Sequence, residues 1–362
     1  MIARTRMRLR ILGVIVGIAC SVTPLFNWLT TGIPVSMLQG LLDGFIISSV
    51  VGGYLLFIQD GLLRPWMRRW SFSASLLLNS AILVALFLVG RALGQVLTSG
   101  DPGEFAQSFR DVHLAYASVF FALTSIAMIF AVQVNRMIGP NVLRYFVLGS
   151  YHRPRDENRV FMFLDLEGST RLTEELGGLR YYALLRHFVD DLSDPVLESR
   201  GQIYQYAGDE VVITWRESDA TTDARCIRCY FDIMAALEAR TDTYERDFGT
   251  VPRFRAGLHG GPVIAGELGD LKQEIVYVGD TLNVAARLEE HAKRHGLGLV
   301  VSDELLARMK LPDDLHAEPL GRIDVRGKRD GIAVTQVSGG HVPLEVVNRV
   351  RPEASAAQPV SG

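Results

Sequence analysis

The stretch Val160-Phe161-Met162-Phe163-Leu164-Asp165-Leu166-Glu167-Gly168-Ser169-Thr170 decides how the second half of this chain is read. Its first five residues are apolar without alternation, which predicts a strand buried on both faces at the centre of a sheet. The run ends at a carboxylate. Gly168-Ser169-Thr170 then opens a helical pattern over Thr170–Leu176 that resumes over Tyr181–Leu197. An aspartate so placed either caps the helix or is a ligand aimed above the sheet.

Downstream, Gln202–Tyr206 and Glu210–Trp215 flank Ala207-Gly208-Asp209, which reads as a tight hairpin. Asp219–Ala239 reads as one helix, and Arg253–His259, Val263–Glu267 and Glu274–Val278 as strands. Thr281–His295 is helical, with Asp280 as N-cap and Gly296 as C-cap. Strands at Leu299–Ser302 and Ile332–Val337 complete an α+β sandwich with a mostly antiparallel sheet.

Upstream the character changes. Ile11–Leu29, Leu38–Ile58, Ala74–Ala92 and Leu114–Val134 are apolar, each close to the roughly 20 residues that cross a bilayer as a helix. Arg4, Arg6, Arg8 and Arg10 precede the first, but no small-residue cleavage site follows it, so it reads as an anchor rather than a signal peptide. Positive charge sits at the N-terminus, after the second span (Arg64, Arg68, Arg69) and after the fourth (Arg136, Arg144). The expectation is a four-span protein of the inner (plasma) membrane with both termini cytoplasmic. The domains expected are a transmembrane region over 1–135, a connector over 136–158, a soluble domain over 159–338 and a disordered tail over 339–362. The connector reads equally as a tether or as a signalling helix.

A net charge of −3 gives no ground for a nucleic-acid partner. Three cysteines are too few for a disulfide framework, and Cys226-x-x-Cys229 has no second pair at metal-ligand spacing.

The chemistry rests on residues far apart in sequence. If the first strand lies beside the hairpin, Asp165 and Asp209 leave the same sheet edge, where two carboxylates can hold Mg²⁺ or Mn²⁺. Taken alone, Asp165 reads as the cap of the following helix and Asp209 as a turn residue. Free N–H groups at Gly168-Ser169-Thr170 suit a triphosphate. Asn283 and Arg287 are four apart on one helix face. They are a solvated pair or, with Arg meeting phosphoryl charge and Asn a sugar hydroxyl, part of a site.

Three blocks in order, Phe163–Thr170, Ala207-Gly208-Asp209-Glu210 and Gly279-Asp280-Thr281-Leu282-Asn283-Val284-Ala285-Ala286-Arg287, resemble the signatures of class III adenylate and guanylate cyclases across about Arg159–Val337. The resemblance implies a ferredoxin-like (palm-type) catalytic domain. It implies two Mg²⁺ or Mn²⁺ ions on Asp165 and Asp209, assisted by the Leu166 carbonyl, and transition-state stabilisation by Asn283 and Arg287. Gly168, Ser169, Thr170 and Lys328 (in Arg326-Gly327-Lys328) would contact the triphosphate, while Gln205 and Val276 stand where the family meets the purine. The implied reaction is attack of the ribose 3′-hydroxyl on the α-phosphorus with loss of pyrophosphate. The sites are shared between two copies, so a homodimer is expected.

Gln205 and Val276 fit neither the adenylate nor the guanylate pattern, so they leave the purine open. The bacterial-type arrangement favours ATP over GTP. Four spans also depart from the family's familiar six. The alternatives are a guanylate cyclase, a diguanylate cyclase, against which the Asn283/Arg287 block counts, and a silent receptor or scaffold, against which the full residue set counts.

Overall fold

Val160–Leu164 forms the middle of a 12-residue strand, Arg155–Leu166, that has neighbours on both edges and both faces. The computed structural model describes residues 149–324 and 331–339 and, in the N-terminal third, 15–25, 36–62, 70–99 and isolated positions. The chain divides into two compact units, 1–143 and 144–362, each described by itself.

In the C-terminal unit the order is β1 (Arg155–Leu166), α1 (Ser169–Leu176), α2 (Gly178–Glu198), β2 (Gln202–Ala207), β3 (Glu210–Arg216), α3 (Glu217–Thr221), α4 (Arg225–Glu238) and α5 (Thr241–Phe248). There follow β4 (Phe254–Leu268), β5 (Glu274–Val278), α6 (Asp280–His295), β6 (Leu299–Ser302), α7 (Asp303–Leu306), β7 (Leu315–Ile323) and β8 (Ile332–Gly339). One sheet runs β2-β3-β1-β4-β6-β8-β7, with β5 also paired to β4. Every pairing is antiparallel except β4 with β6, so the expected mostly antiparallel sheet is found as a mixed one.

Side-chain alternation along β1 creates two cores. Val160, Met162, Leu164 and Leu166 face Leu184, Phe188 and Leu192 of α2 and Ile227 and Ile233 of α4. Phe161 and Phe163 face the other way, against Ala285 of α6 and Tyr204 and Tyr277. Two cores account for a strand sequence without polar alternation. By the same parity Asp165 emerges on the α6 face.

Gly257 lets α6 lie close to that face. A Cβ there would fall 2.1 Å from the Glu289 nitrogen and 2.5 Å from the Ala285 carbonyl oxygen, both rigid helix backbone. Gly257→Ala is expected to lower stability by about 2–3 kcal/mol through overpacking and to displace α6, measured by urea denaturation and by turnover.

Several local expectations change. Arg253–His259 and Val263–Glu267 are one continuous strand, β4, because Pro262 falls between the end of the β6 pairing at Leu258 and the start of the β5 pairing at Ile264. No ladder is lost there. The helix expected over Asp219–Ala239 breaks at Asp223 (φ 54°) and Ala224 (φ 49°). That turn persists because Ala220 and Ala224 are both fully buried and Arg228 donates to the Asp223 carbonyl at 3.1 Å. Gly279, not Asp280, occupies the N-cap of α6, while Gly296 takes the left-handed C-cap conformation at φ 67° as expected.

In the N-terminal unit, helix Ser36–Gly53 continues as a π-helix over Tyr54–Leu62, and a second helix spans Phe72–Ser99. Buried Tyr54 donates to Asn79 Oδ1 at 2.8 Å between them. Of the four expected spans, only Phe72–Gly90 is long and apolar enough to cross a membrane among the described residues. Ile15–Leu25 and Gly44–Ile58 are shorter apolar helices, and most of Leu114–Val134 lies outside the described residues. So does most of the connector, and so do the tail beyond Gly339 and Lys328. Tyr145 is described, packing edge-on against Tyr151 at 5.0 Å.

Candidate active site

Asp165 is the penultimate residue of β1 and is 9% exposed. It pairs in register with Arg255 of β4. On the other edge Leu164 pairs with Val211, so the next step of the antiparallel ladder puts Glu210 opposite Asp165. Asp209 precedes Glu210 in the β2–β3 turn, where Gly208 takes φ +69°, a conformation open to glycine at little cost. The expected convergence of Asp165 and Asp209 at one sheet edge is therefore seen, and Glu210 joins them.

Three further groups complete this acidic region. Lys293 of α6 donates from Nζ to Asp165 Oδ2 at 2.6 Å. Glu289, one turn earlier on α6, is buried, and its Oε1 has no hydrogen-bond partner. Arg255 pairs with Glu167 at 3.0 Å and donates to the Lys293 carbonyl at 3.1 Å. Burial, then the charges of Asp165 and Asp209, push the Glu210 carboxyl above its ordinary range. Burial first and Asp165 second push Glu289 up to about 7. The hydrogen bond to Asp165 raises the Lys293 ammonium further. Crowded carboxylates with one ammonium among them want positive charge.

These residues fit a divalent ion. Asp165 and Asp209 are hard oxygen donors, Leu166 follows Asp165 at the strand end, and a cationic group already lies on Asp165. Among the described residues no three His, Cys, Asp or Glu side chains form a ready-made metal cluster. Mg²⁺ is commonly held by one or two carboxylates, with substrate phosphate and water completing the shell.

Gly168 (φ +67°) starts α1 directly after this edge, and no side chain caps the helix. Ser169 meets the Tyr181 hydroxyl, whose proton is held more tightly by burial, then by Asp209 and more weakly by Asp165. Thr170 is exposed in the same turn. Gln205 is exposed on β2 beside a register shift, and Val276 is half-buried on β5. Their neighbours Tyr204 and Tyr277 touch edge-on at 5.1 Å, so β2 and β5 meet over one face of the sheet.

Asn283 and Arg287 lie elsewhere. Both are exposed on α6, opposite its buried face, and Arg287 pairs with Glu290 at 2.6 Å. Asn283 is ten residues from Lys293, about 15 Å along the helix axis. Arg287 and Glu289 are two residues apart, about 160° around the helix. Within one chain, the Asn283/Arg287 pair and the acidic edge face different ways.

Lys293, Glu289, Glu210 and Tyr181 are absent from the expected site. Glu289 and Lys293 stand at i,i+4, which alone reads as a solvated helix face. The one available signal was a glutamate in a position otherwise taken by Val284, Ala285, Leu288 and Ala292 on the buried stripe.

Comparison with known proteins follows the same lines. Residues 152–338 match the family model described as the adenylate and guanylate cyclase catalytic domain. "Adenylate cyclase 2" of Rhizobium meliloti is 39% identical over 79% of this chain and 80% of its own length. "Adenylate cyclase 1" of the same organism is 31% identical over 49% of this chain and 27% of its own length. A bacterial light-regulated adenylyl cyclase structure aligns with TM-score 0.54 at 20% identity, covering 66% of this chain and 70% of that one, a likeness of fold. With signature blocks at the end of β1, in the β2–β3 turn and on α6, one matched domain and a relative similar over most of its length, this chain belongs to the adenylate and guanylate cyclase catalytic-domain family.

Proposed function

We propose that this nucleotidyl cyclase converts ATP to 3′,5′-cyclic AMP and pyrophosphate, in sites shared by two copies and held at the cytoplasmic face of a membrane. The observation that carries the reading is the convergence of Asp165, Asp209 and the Leu166 strand end, with a cation already bound to Asp165. The choice of ATP is supported by "Adenylate cyclase 2", which is similar over both halves of this chain.

In the reaction the ribose O3′ forms a bond to the α-phosphorus, the bond to the β-phosphate bridging oxygen breaks, and pyrophosphate leaves with that electron pair. The 3′-hydroxyl proton passes to solvent. Asp165, Asp209 and the Leu166 carbonyl would hold two Mg²⁺ or Mn²⁺ ions, which when bound supply Lewis acidity toward the hydroxyl and neutralise the leaving group. Gly168, Ser169 and Thr170 offer uncapped backbone N–H groups to phosphate oxygens. Lys328, outside the described residues, adds a positive contact. From the second copy, Asn283 orients the ribose and Arg287 stabilises the charge on the transferring phosphoryl group. Gln205 and Val276 border the purine. The β4–β5 edge, with Ile264, Leu268, Leu271 and Val278 exposed, supports pairing of two copies by its apolar character.

Membrane attachment is supported by Phe72–Gly90 and by apolar side chains such as Phe45, Leu77 and Val89 left exposed on the N-terminal helices. The four-span arrangement with cytoplasmic termini rests on the arginine distribution.

Product identification tests the proposal. The full-length chain, given ATP or GTP with Mn²⁺ or Mg²⁺, is expected to yield cyclic AMP and pyrophosphate. Cyclic GMP as the sole product would reverse the purine assignment. A folded dimer yielding no cyclic product would replace the enzyme with a silent receptor.

A further inference from the structure

We infer that Lys293 is a tethered competitor for the cation site: it holds Asp165 in the metal-free chain and moves to Glu289 when a divalent ion takes the carboxylate. The inference rests on the assignment of Asp165 as a metal ligand.

Three observations carry it. Lys293 Nζ sits on Asp165 Oδ2 at 2.6 Å, and a divalent ion on the same oxygen would meet an ammonium at contact distance. One of the two must leave. The lysine can, because its side chain is 57% exposed on a flexible four-carbon stem, whereas the Asp165 side chain is 12% exposed on a central strand.

Secondly, the place to which it can move already exists. Glu289 precedes Lys293 by one turn of α6, the glutamate-before-lysine order that suits an i,i+4 pair. Its Oε1 is buried without a hydrogen-bond partner, a costly state for a carboxylate oxygen. Thirdly, the neighbouring cation is committed: Arg255 pairs with Glu167 and with the Lys293 carbonyl. Lys293 therefore offsets the charge of Asp165, Asp209, Glu210 and Glu289 while no ion is present, and Glu289 gains its missing partner when one arrives.

The test is titration of the full-length chain in detergent with Mn²⁺ alone, free ion being read by electron paramagnetic resonance. Lys293→Met keeps the stem and removes the charge. It is expected to bind Mn²⁺ about fivefold more tightly, the size of a partly exposed ion pair. Its metal-free melting temperature should fall below wild type and recover in saturating Mn²⁺. Should Lys293→Met misfold, Lys293→Gln carries the same expectation. Unchanged or weaker Mn²⁺ binding in a folded Lys293 variant would overturn the inference. Glu289→Gln should weaken binding in the wild-type background and less so beside Lys293→Met; equal losses in both would sink the move to Glu289. Asp165→Asn separates the premises: if it binds Mn²⁺ like wild type, the metal assignment fails and the inference with it.

Discussion

Asp165→Ala and Asp209→Ala are each expected to cut turnover at least about a thousandfold, the scale set by losing metal positioning and its charge stabilisation in phosphoryl transfer. Folding should survive. Asp165 lies next to the end of a strand whose apolar residues make the core, and its loss relieves like-charge crowding around Glu210 and Glu289. The Lys293 ammonium freed in Asp165→Ala is more than half exposed and can be solvated. Circular dichroism and melting curves close to wild type, beside rates at background, are the expected pair of results. A wild-type rate in either variant would remove that aspartate from the site. A loss of rate that tracked a loss of folded protein would make the residue structural instead.

The acidic edge shows what the sequence discloses and what it hides. Asp165 was legible because a five-residue apolar run flanked by turn signals reads as a strand buried on both faces, and the first charged residue after it marks where that burial ends. Asp209 was legible because Ala207-Gly208-Asp209 joins two strands at minimal length. Local rules sufficed for both, and the register linking β1 to β3 then brought them together. Lys293 could not be found this way. It meets Asp165 across 128 residues of sequence, and that contact depends on Gly257 letting α6 lie against the sheet. Glu289 was hinted at only by its place on the apolar stripe of α6, and the packed helix is what shows it beside Asp165.

Strand β7 escaped notice on different grounds. Leu315–Ile323 is mostly exposed, lies at the sheet edge beside β8 and carries Pro319 and Gly321 at an irregularity in the register. Such features protect an edge from further pairing and also erase the alternation by which strands are recognised. The short polar helix α5 has too few apolar positions to declare itself in the same way.

Mixing an Asp165→Ala chain with an Arg287→Ala chain, each inactive alone, is expected to restore about a quarter of wild-type activity, because about half of randomly assorted dimers are mixed and each has one of two sites whole. The expectation comes from the geometry of α6. Lys293 and Glu289 turn toward the acidic edge, while Arg287 and Asn283 sit on the exposed side, with Asn283 about 15 Å further along the axis. Complementary halves from two copies can make one site only if each contributes a different half. The control is a mixture of Asp165→Ala with Asp209→Ala, which both damage the same half. No mixed dimer of that pair has a whole site, and it should stay inactive. Recovery in the first mixture and silence in the second would place Arg287 across the interface from the aspartates. Silence in both, with mixed dimers demonstrated by mass spectrometry, would mean that each chain builds its site alone, and α6 would then have to turn Arg287 inward by a rearrangement about its own axis.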